Sequence, residues 1–330
     1  MNSADSISVG VVVIGRNEGE RLRRCIESVR AEARLVVYVD SGSTDGSVEM
    51  AHSAGVDVVK LDMRTQFTAA RARNAGFTRL REVAPELDFV QFVDGDCELT
   101  HGWLQAAITF LAQDVEVACV CGRLRERFPE RSVYNRLCDM EWDRPVGNTD
   151  ACGGIALMRT AAFAAVGGFR DDIVAGEEPE LCLRFRVLGW KVWRLARPMA
   201  LHDAAMLRFG QWWTRSTRSG FSYAQRVSVQ EGAIERGLMR QAFRAWIWAA
   251  MLPLVVLLGC LVWGAPALWL LLAYPLQVLR LASKGNRPWR IRLEGAFFVV
   301  LGKFPEALGL LQFGLSRRHA KSLRSFDYKS

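Results

Sequence analysis

Two aspartates, Asp94 and Asp96, flank a single glycine directly after the mostly apolar segment FVQFV. Like charges at this spacing repel each other unless a positive group lies beside them. Carboxylate oxygens at the end of a strand suit Mg²⁺ or Mn²⁺, cations that usually keep some water and also bind substrate phosphates. The pattern therefore suggests a divalent metal site, with a plain surface turn as the alternative reading of a DG dipeptide.

Polar groups suited to a nucleotide occur upstream of this turn. In the stretch VDSGSTDGS, Asp40 could accept hydrogen bonds from a base ring, and Asp45 is predicted to cap the following helix. Arg71, Arg73 and Asn74 stand near the start of another predicted helix, where they could bind a diphosphate. The alternative for this last group is a solvated basic face.

A third group of acids begins the stretch EEPELCLRFRVLGW, which is predicted to be a helix with Pro179 in its first turn. Taken by themselves, Glu177, Glu178 and Glu180 are best interpreted as first-turn acids that stabilise the helix N-terminus.

Short β-branched segments alternate with helical patterns through the first half of the chain, for example SVGVVVIG and LVVYVD. This alternation predicts an α/β fold with a parallel or mostly parallel sheet and helices on both faces. Right-handed crossovers bring the carboxyl ends of such strands to one edge, where ligands bind. Asn17, Asp40 and Asp94 each follow or end a predicted strand, so we expect them at that edge.

Six segments, spread over roughly residues 7 to 205, resemble glycosyltransferase family 2 in their order and spacing. The resemblance implies a GT-A fold (a Rossmann-like, mostly parallel central sheet). It also implies inverting transfer from a nucleotide-diphosphate sugar with Mg²⁺ or Mn²⁺. The segments are VVVIGRNEGERLRRCIESV, VDSGSTDGS, TAARARNAGF, FVDGDCEL, GGIALMRTAAFAAVGGF and GEEPELCLR.

The same resemblance implies roles for individual residues. It places Asp96 as a metal ligand, Asp94 on the ribose or the metal, and His202 where many members have a histidine that binds metal or diphosphate. The residues it places near the nucleotide are Asn17, Glu18, Asp40, Arg73, Asn74 and Asp94.

Glu178 matches the catalytic base of the family, which is usually the aspartate of an ED pair. This chain has Glu177 and Glu178 instead, so either glutamate could face the acceptor. Farther on, GQWWTR is similar to the QxxRW signature of processive polysaccharide synthases but does not match it, because Arg215 comes one place late. We therefore expect single transfers, with Trp212 and Trp213 lining the acceptor site or lying at the bilayer surface.

The charge of the chain is concentrated at its C-terminal end. From Arg280 onward there are eleven lysines and arginines against three acids, and residues 1–279 are neutral with 32 of each sign. This distribution argues against a nucleic-acid partner. Eight scattered cysteines without CxxC or histidine pairing predict neither a zinc site nor a disulfide framework, and they favour a reducing compartment. No signal peptide is expected, because the first apolar run is short and lacks a basic leader.

Composition changes after the catalytic domain, which we expect to occupy residues 1–230. In the remaining region, 231–330, a hydrophobic hairpin is predicted over about 245–282, an interfacial helix over about 293–315, and a basic tail beyond it. Basic residues flank both ends of the hairpin, which places those ends on the cytoplasmic side. The alternative is a second soluble domain with apolar core helices.

These features predict a membrane-associated inverting glycosyltransferase at the cytoplasmic face, in bacteria the inner membrane. Its acceptor would be lipid-linked or membrane-proximal, in cell-envelope or exopolysaccharide synthesis. The alternatives are a polyprenyl-phosphate glycosyltransferase and a non-catalytic nucleotide-sugar-binding membrane protein. A dinucleotide oxidoreductase is disfavoured because no GxGxxG follows the first strand.

Overall fold

The structure, a computed structural model, describes residues 8–229 and 236–318. The chain divides into two compact units, Met1–Ala205 and Met206–Ser330. The domain boundary predicted near residue 230 stays a prediction. The basic tail beyond residue 318 lies outside the described residues.

The first unit is built on a nine-stranded mixed sheet in which β3, β2, β1 and β4 run parallel. Strand β8 is antiparallel to both β4 and β6, and β9 is parallel to β6. The strand order is β3-β2-β1-β4-β8-β6-β9-β5, with β7 paired to β9. The strands are β1 (Val9–Gly15), β2 (Leu35–Asp40), β3 (Asp57–Lys60), β4 (Phe89–Asp94), β5 (Cys97–Leu99), β6 (Val117–Glu126), β7 (Gly147–Asn148), β8 (Ala156–Arg159) and β9 (Lys191–His202).

Helices pack against this sheet through apolar faces. The spacing of Leu22, Ile26 and Val29 places all three on the buried side of the first helix. The third helix approaches the sheet closely at Gly76, where a Cβ atom would lie 2.4 Å from Val12 Cγ1. The helices of this unit are α1 (Glu20–Glu32), α2 (Ser47–Ser53), α3 (Ala69–Val83), α4 (Trp103–Gln113), α5 (Val133–Glu141), α6 (Thr160–Ala165) and α7 (Glu177–Val187).

The second unit is helical. Three continuous helices, Gly237–Trp263, Ala265–Ala282 and Trp289–Ser316, are long and apolar enough to cross a membrane by length and composition. The first two cover the predicted hairpin. The third was expected to be interfacial, but at 28 residues its length and composition also allow a span. The α-helical segments are α8 (Phe209–Val229), α9 (Arg236–Trp246), α10 (Leu252–Trp263), α11 (Ala273–Ala282), α12 (Trp289–Leu301) and α13 (Lys303–Arg318).

Glycines allow α8 and α13 to cross at very short range. A Cβ atom on Gly220 would lie 1.9 Å from the Glu306 carbonyl oxygen, and one on Gly309 would lie 2.0 Å from the Thr217 carbonyl oxygen. Neither helix could keep this packing with a side chain at those positions.

Candidate active site

Arg73 joins the acidic turn after β4 to the acidic start of α7. Its Nη2 donates to Asp94 Oδ1 at 2.8 Å, and its Nη1 donates to Glu177 Oε1 at 2.6 Å. The guanidinium is 4% exposed and lies 5.5 Å from the centre of the Phe169 ring. Burial alone would lower the pKa of Arg73, but the two carboxylates outweigh it and raise that pKa. Arg73 is therefore the positive group beside Asp94 that offsets the repulsion between Asp94 and Asp96.

Gly95 separates the two aspartates, and their side chains contact different residues. A Cβ atom here would lie 3.1 Å from the Ile14 carbonyl oxygen, which receives the Gly95 amide hydrogen bond. Asp96 is buried, and its Oδ2 lies 3.4 Å from His202 Nε2 at the end of β9. The turn thus directs Asp94 to Arg73 and Asp96 to His202.

Asp96, Cys97 and His202 fit a divalent metal ion. One ligand atom from each residue lies within 4.8 Å of the others. The carboxylate and the imidazole are ligands that Mn²⁺ and Mg²⁺ sites use, and a cation would stabilise the buried Asp96 carboxylate beside the half-buried His202 imidazole. Asp94, the other predicted ligand, belongs instead to the Arg73 cluster.

Glu126, which the sequence patterns did not indicate, lies next to the Nδ1 side of the His202 ring, opposite Asp96. Its Oε2 lies 3.6 Å from His202 Nδ1 and accepts a hydrogen bond from the Ala204 amide. Its Oε1 accepts from the Asn135 side chain and the Phe128 amide. Only its place at the end of a buried strand could have pointed to it, because no motif contains it. A carboxylate in this position orients the imidazole for a metal.

Asn17 and Asp40 organise the loops after β1 and β2. Asn17 Oδ1 accepts from the Thr44 amide at 2.7 Å, and the Asn17 amide donates to Ser43 Oγ. Asp40 Oδ2 accepts from the Gly42 and Ser43 amides, each at 3.0 Å, and its Oδ1 accepts from the Tyr38 hydroxyl. Both side chains shape the Ser41–Thr44 loop at the strand edge where they were expected.

Three other residues of these motifs have structural partners. Asp45 was expected to cap α2, but the N-cap residue is Gly46; Asp45 Oδ1 accepts from the amide and hydroxyl of Ser47, the first residue of that helix. The buried Glu18 pairs with Arg21 at 2.7 Å. Arg71 donates to the carbonyl oxygens of Asp62, Thr65 and Gln66.

Asn74 holds the loop that precedes α7. Its amide nitrogen donates to the Phe169 carbonyl and to Asp171 Oδ1, and its Oδ1 accepts from the Phe169 amide at 3.0 Å. Asn74 was expected beside the nucleotide. Its polar atoms instead anchor the segment that leads to Glu177.

Glu178 is directed away from Arg73, into a pocket of thiols. Its Oε1 accepts from the Cys152 amide and lies 3.0 Å from Cys182 Sγ. Burial, followed by the adjacent Cys182, raises the pKa of Glu178 well above its usual range. The two neighbouring glutamates therefore have different surroundings, one ion-paired and one held in a largely apolar pocket.

The residues predicted for the acceptor lie in the second unit, on α8. Trp212 is buried against Phe298 of α12, with ring centres 5.0 Å apart, and Trp213 packs on Phe209. Arg215 follows on the same helix, where its carbonyl accepts from Ser219. The aromatic pair is therefore part of the packing of the helical unit, and its role at an acceptor stays a prediction.

Comparison with known proteins adds a family and a fold. Residues 10–167 match the family described as glycosyl transferase family 2. The pre-mycofactocin glycosyltransferase of Mycobacterium tuberculosis is 26% identical over 206 residues, 59% of this chain and 42% of that protein. The succinoglycan biosynthesis protein ExoA of Rhizobium meliloti is 26% identical over 205 residues, 57% of this chain and 61% of that protein. The chain spans less than two thirds of each of these relatives.

Among solved structures, the mannosyltransferase PcManGT from Pyrobaculum calidifontis, in complex with GDP-Man and Mn²⁺, has a similar fold. Its TM-score is 0.57 at 18% identity, with 95% of this chain and 88% of that chain covered. The GT-A fold predicted from the sequence is confirmed.

Proposed function

We propose that this chain, whose residues 10–167 match glycosyltransferase family 2, transfers a sugar from a nucleotide-diphosphate donor to an acceptor hydroxyl. The observation that carries this proposal is the bridge from Asp94 through Arg73 to Glu177. It joins the acidic turn that would face the donor to the helix that would carry the base. The relatives named above act in glycan synthesis by name, which agrees with this class of reaction.

Donor binding is assigned to the carboxyl edge of the parallel strands. Asp40 and Asn17 would act there mainly by holding the Ser41–Thr44 loop in the shape that receives the base. Asp94, which is 33% exposed and fixed by Arg73, can accept hydrogen bonds from the ribose. Arg73 is a positioning residue in this scheme, because its guanidinium is buried under both carboxylates.

Asp96 and His202 would hold a divalent cation, Mg²⁺ or Mn²⁺, with Glu126 orienting the imidazole. When bound, the cation would offset the negative charge that builds on the departing diphosphate. Since this charge is offset, no general acid is required among the protein residues.

Glu178 is the proposed base. The acceptor oxygen attacks the anomeric carbon, and its proton passes to the Glu178 carboxylate. The bond between the anomeric carbon and the diphosphate oxygen breaks, and both its electrons leave with the diphosphate, so the configuration inverts. The raised pKa of Glu178 suits this role, because a carboxylate of higher pKa is the stronger base toward the hydroxyl proton. Glu177 is a weaker candidate because its carboxylate is ion-paired with the buried Arg73 guanidinium.

A lipid-linked or membrane-proximal acceptor is proposed from the second unit. Between α11 and α12 lies an apolar groove of about 540 Å³, lined in part by Val278, Leu279, Leu293 and Phe297. It could receive a hydrocarbon chain. The three helices of membrane-spanning length support a place for this unit in a bilayer, and basic residues of the loop between α11 and α12 support the cytoplasmic face.

A polyprenyl phosphate is the second candidate acceptor. Arg280 directly follows the groove residue Leu279, and Arg292 directly precedes Leu293. A lipid chain whose phosphate lay at the end of the groove near Arg280 and Arg292 would have cationic groups close to that phosphate. Polyprenyl phosphate and a lipid-linked glycan, offered separately with the same donor, distinguish the two acceptors.

The activity is tested with a panel of nucleotide sugars, each with Mn²⁺, with Mg²⁺ or with chelator. The readout is release of nucleoside diphosphate. We expect one donor to give metal-dependent release, and Glu178→Gln to reduce the rate by roughly 10²–10⁴-fold. Glu180→Gln is the control, because Glu180 lies in the same helical turn but pairs with Arg184. Full turnover by a folded Glu178→Gln variant would refute the assigned base, and binding of donors without any turnover would favour a non-catalytic nucleotide-sugar-binding protein.

A further inference from the structure

Three cysteines surround Glu178 in the interior of the first unit. Cys152 Sγ and Cys182 Sγ lie 3.6 Å apart, and Cys182 Sγ lies 3.0 Å from Glu178 Oε1. Cys119, on β6, is a third buried cysteine whose thiol interacts with both of the other thiols. All four side chains belong to residues that are at most 5% exposed. The scattered spacing of these cysteines gave no sign of a metal site in the sequence.

We propose that this thiol–carboxylate cluster is a binding site for a soft divalent cation, Zn²⁺ in particular. One ligand atom each from Cys152, Glu178 and Cys182 lies within 4.8 Å of the others. In a tetrahedral zinc site with Zn–S bonds of about 2.3 Å, two sulfur ligands lie roughly 3.7–3.8 Å apart. The observed separation of 3.6 Å is close to that value, so the two sulfurs need to move very little.

The ligands come from separate elements that are fixed independently. Cys182 and Glu178 lie four residues apart on α7, and Cys152 lies in the loop before β8. The Cys152 amide also donates to Glu178, which fixes the loop against the helix. Such a preformed arrangement lowers the ordering cost of binding an ion.

Charge balance also favours a cation here. Binding would release the protons of Cys152 and Cys182 to solvent, and of Glu178 where it is protonated, and would leave anionic ligands in a buried place. The buried Arg194 lies nearby, since it donates to the Ala151 carbonyl and the Gly122 carbonyl. Its positive charge partly offsets the ligand set. Thiolates select soft cations, whereas Asp96 and His202 suit Mn²⁺ or Mg²⁺, so the two sites differ in preference.

Zinc at this cluster would inhibit the enzyme. A Glu178 carboxylate bound to zinc cannot accept the acceptor proton, while donor binding around Arg73 and Asp94 would be unaffected. This consequence rests on the proposed function, but zinc binding itself does not.

Zinc binding is tested on the full chain, purified in detergent and reductant without a histidine tag. Equilibrium dialysis against buffered Zn²⁺, followed by elemental analysis, should give stoichiometric zinc in the wild type. Cys182→Ser and Cys152→Ser should each weaken binding by roughly 10–100-fold or more, as when metal sites lose supporting groups. Cys138→Ser, a buried cysteine of α5, is the matched control and should keep full affinity. Asp96→Asn should also keep its zinc.

Several outcomes would overturn the proposal. The first is that the wild-type protein binds no zinc. The second is that Cys182→Ser binds zinc as tightly as wild type. The third is that Asp96→Asn loses its zinc while Cys182→Ser keeps it. Recovery of a Cys152–Cys182 disulfide under the same reducing conditions would make the pair a redox site instead. Cd²⁺ provides a second readout, because its thiolate charge-transfer absorption should disappear in Cys182→Ser and persist in Cys138→Ser.

Inhibition is measured separately. Added Zn²⁺ should stop sugar transfer in wild type and in Cys138→Ser, with recovery on addition of a zinc chelator in the presence of excess Mn²⁺. A protein that binds zinc but shows no transfer with any donor would contradict the proposed function alone. A protein that transfers sugar at full rate with stoichiometric zinc bound would contradict the inhibitory role.

Discussion

Arg73 on α3 donates to Asp94 and to Glu177, which lie 21 and 104 residues farther along the chain. One buried cation thus fixes the position of the acidic turn after β4 relative to the start of α7. Gly154 packs directly against this arrangement, since a Cβ atom there would lie 2.8 Å from Arg73 Nη2 and 3.0 Å from Asp94 Oδ2.

Replacing Arg73 with alanine should destabilise the protein by about 3–5 kcal/mol, because two carboxylates would lose their shared partner in a buried site. Chemical unfolding measures the loss. Arg73→Lys should recover only part of it, since a lysine cannot donate in the planar fork that Arg73 uses. The control is Arg64→Ala, whose ion pair with Asp62 is solvent-exposed and should contribute nothing measurable. Equal stability of Arg73→Ala and wild type would show that the bridge does not form.

The rate of sugar transfer should rise with pH through the raised pKa of Glu178. A carboxyl group whose pKa is raised by burial stays protonated to higher pH, and only its deprotonated form can accept the hydroxyl proton. A pH profile of kcat measures this. A wild-type profile that stays flat across the range above the usual glutamate pKa would contradict the assignment.

The same raised pKa predicts a pH dependence of folding. The folded protein holds the Glu178 proton more tightly than the unfolded chain does. The stabilising contribution of Glu178 is therefore fully present below the ordinary glutamate pKa and is lost as pH rises through the folded-state pKa. As pH rises, the unfolding free energy should therefore fall less for Glu178→Gln than for wild type. Identical slopes for the two proteins would contradict the prediction.

Removal of the proposed metal site should raise the cation concentration that transfer requires. His202→Ala deletes the imidazole whose Nε2 lies 3.4 Å from Asp96 Oδ2. We therefore expect the affinity for Mn²⁺ to fall by roughly 10–100-fold. The control is His101→Ala, whose ring is 95% exposed and pairs with Glu32. Mn²⁺ titrations of transfer rate, together with direct Mn²⁺ binding, measure the change. Unchanged Mn²⁺ affinity in His202→Ala would remove this histidine from the site.

The crossing of α8 and α13 should not tolerate a methyl group. Gly309→Ala would place a Cβ atom 2.0 Å from the Thr217 carbonyl oxygen, so the helices must separate, at a cost of about 1–3 kcal/mol. Gly314→Ala, on the same helix with nothing within 4 Å, should instead be neutral or slightly stabilising. Thermal unfolding in detergent compares the two variants. Equal melting temperatures would show that the helices do not cross at Gly309.

Much of the sheet could be predicted from local pattern. The β-branched runs before Asn17 and Asp40, and the run before Asp94, form parallel strands because each is apolar on both faces. Strand β9 begins in the local pattern KVWRL but continues beyond it to His202. Its later residues are held by hydrogen bonds to β6 and β5 and include exposed side chains, so no apolar pattern marks them.

The sequence by itself determined which functional groups are available and which strands and helices carry them. These groups are a DGD turn, an adjacent pair of glutamates, a late histidine and several dispersed cysteines. The tertiary structure alone decided that Arg73 pairs with Asp94 and Glu177, that Glu126 supports His202, and that Glu178 lies among Cys119, Cys152 and Cys182. These partners are far apart in the chain, and their contacts depend on how α3, α7 and the strands pack. Local spacing carries no information about such packing.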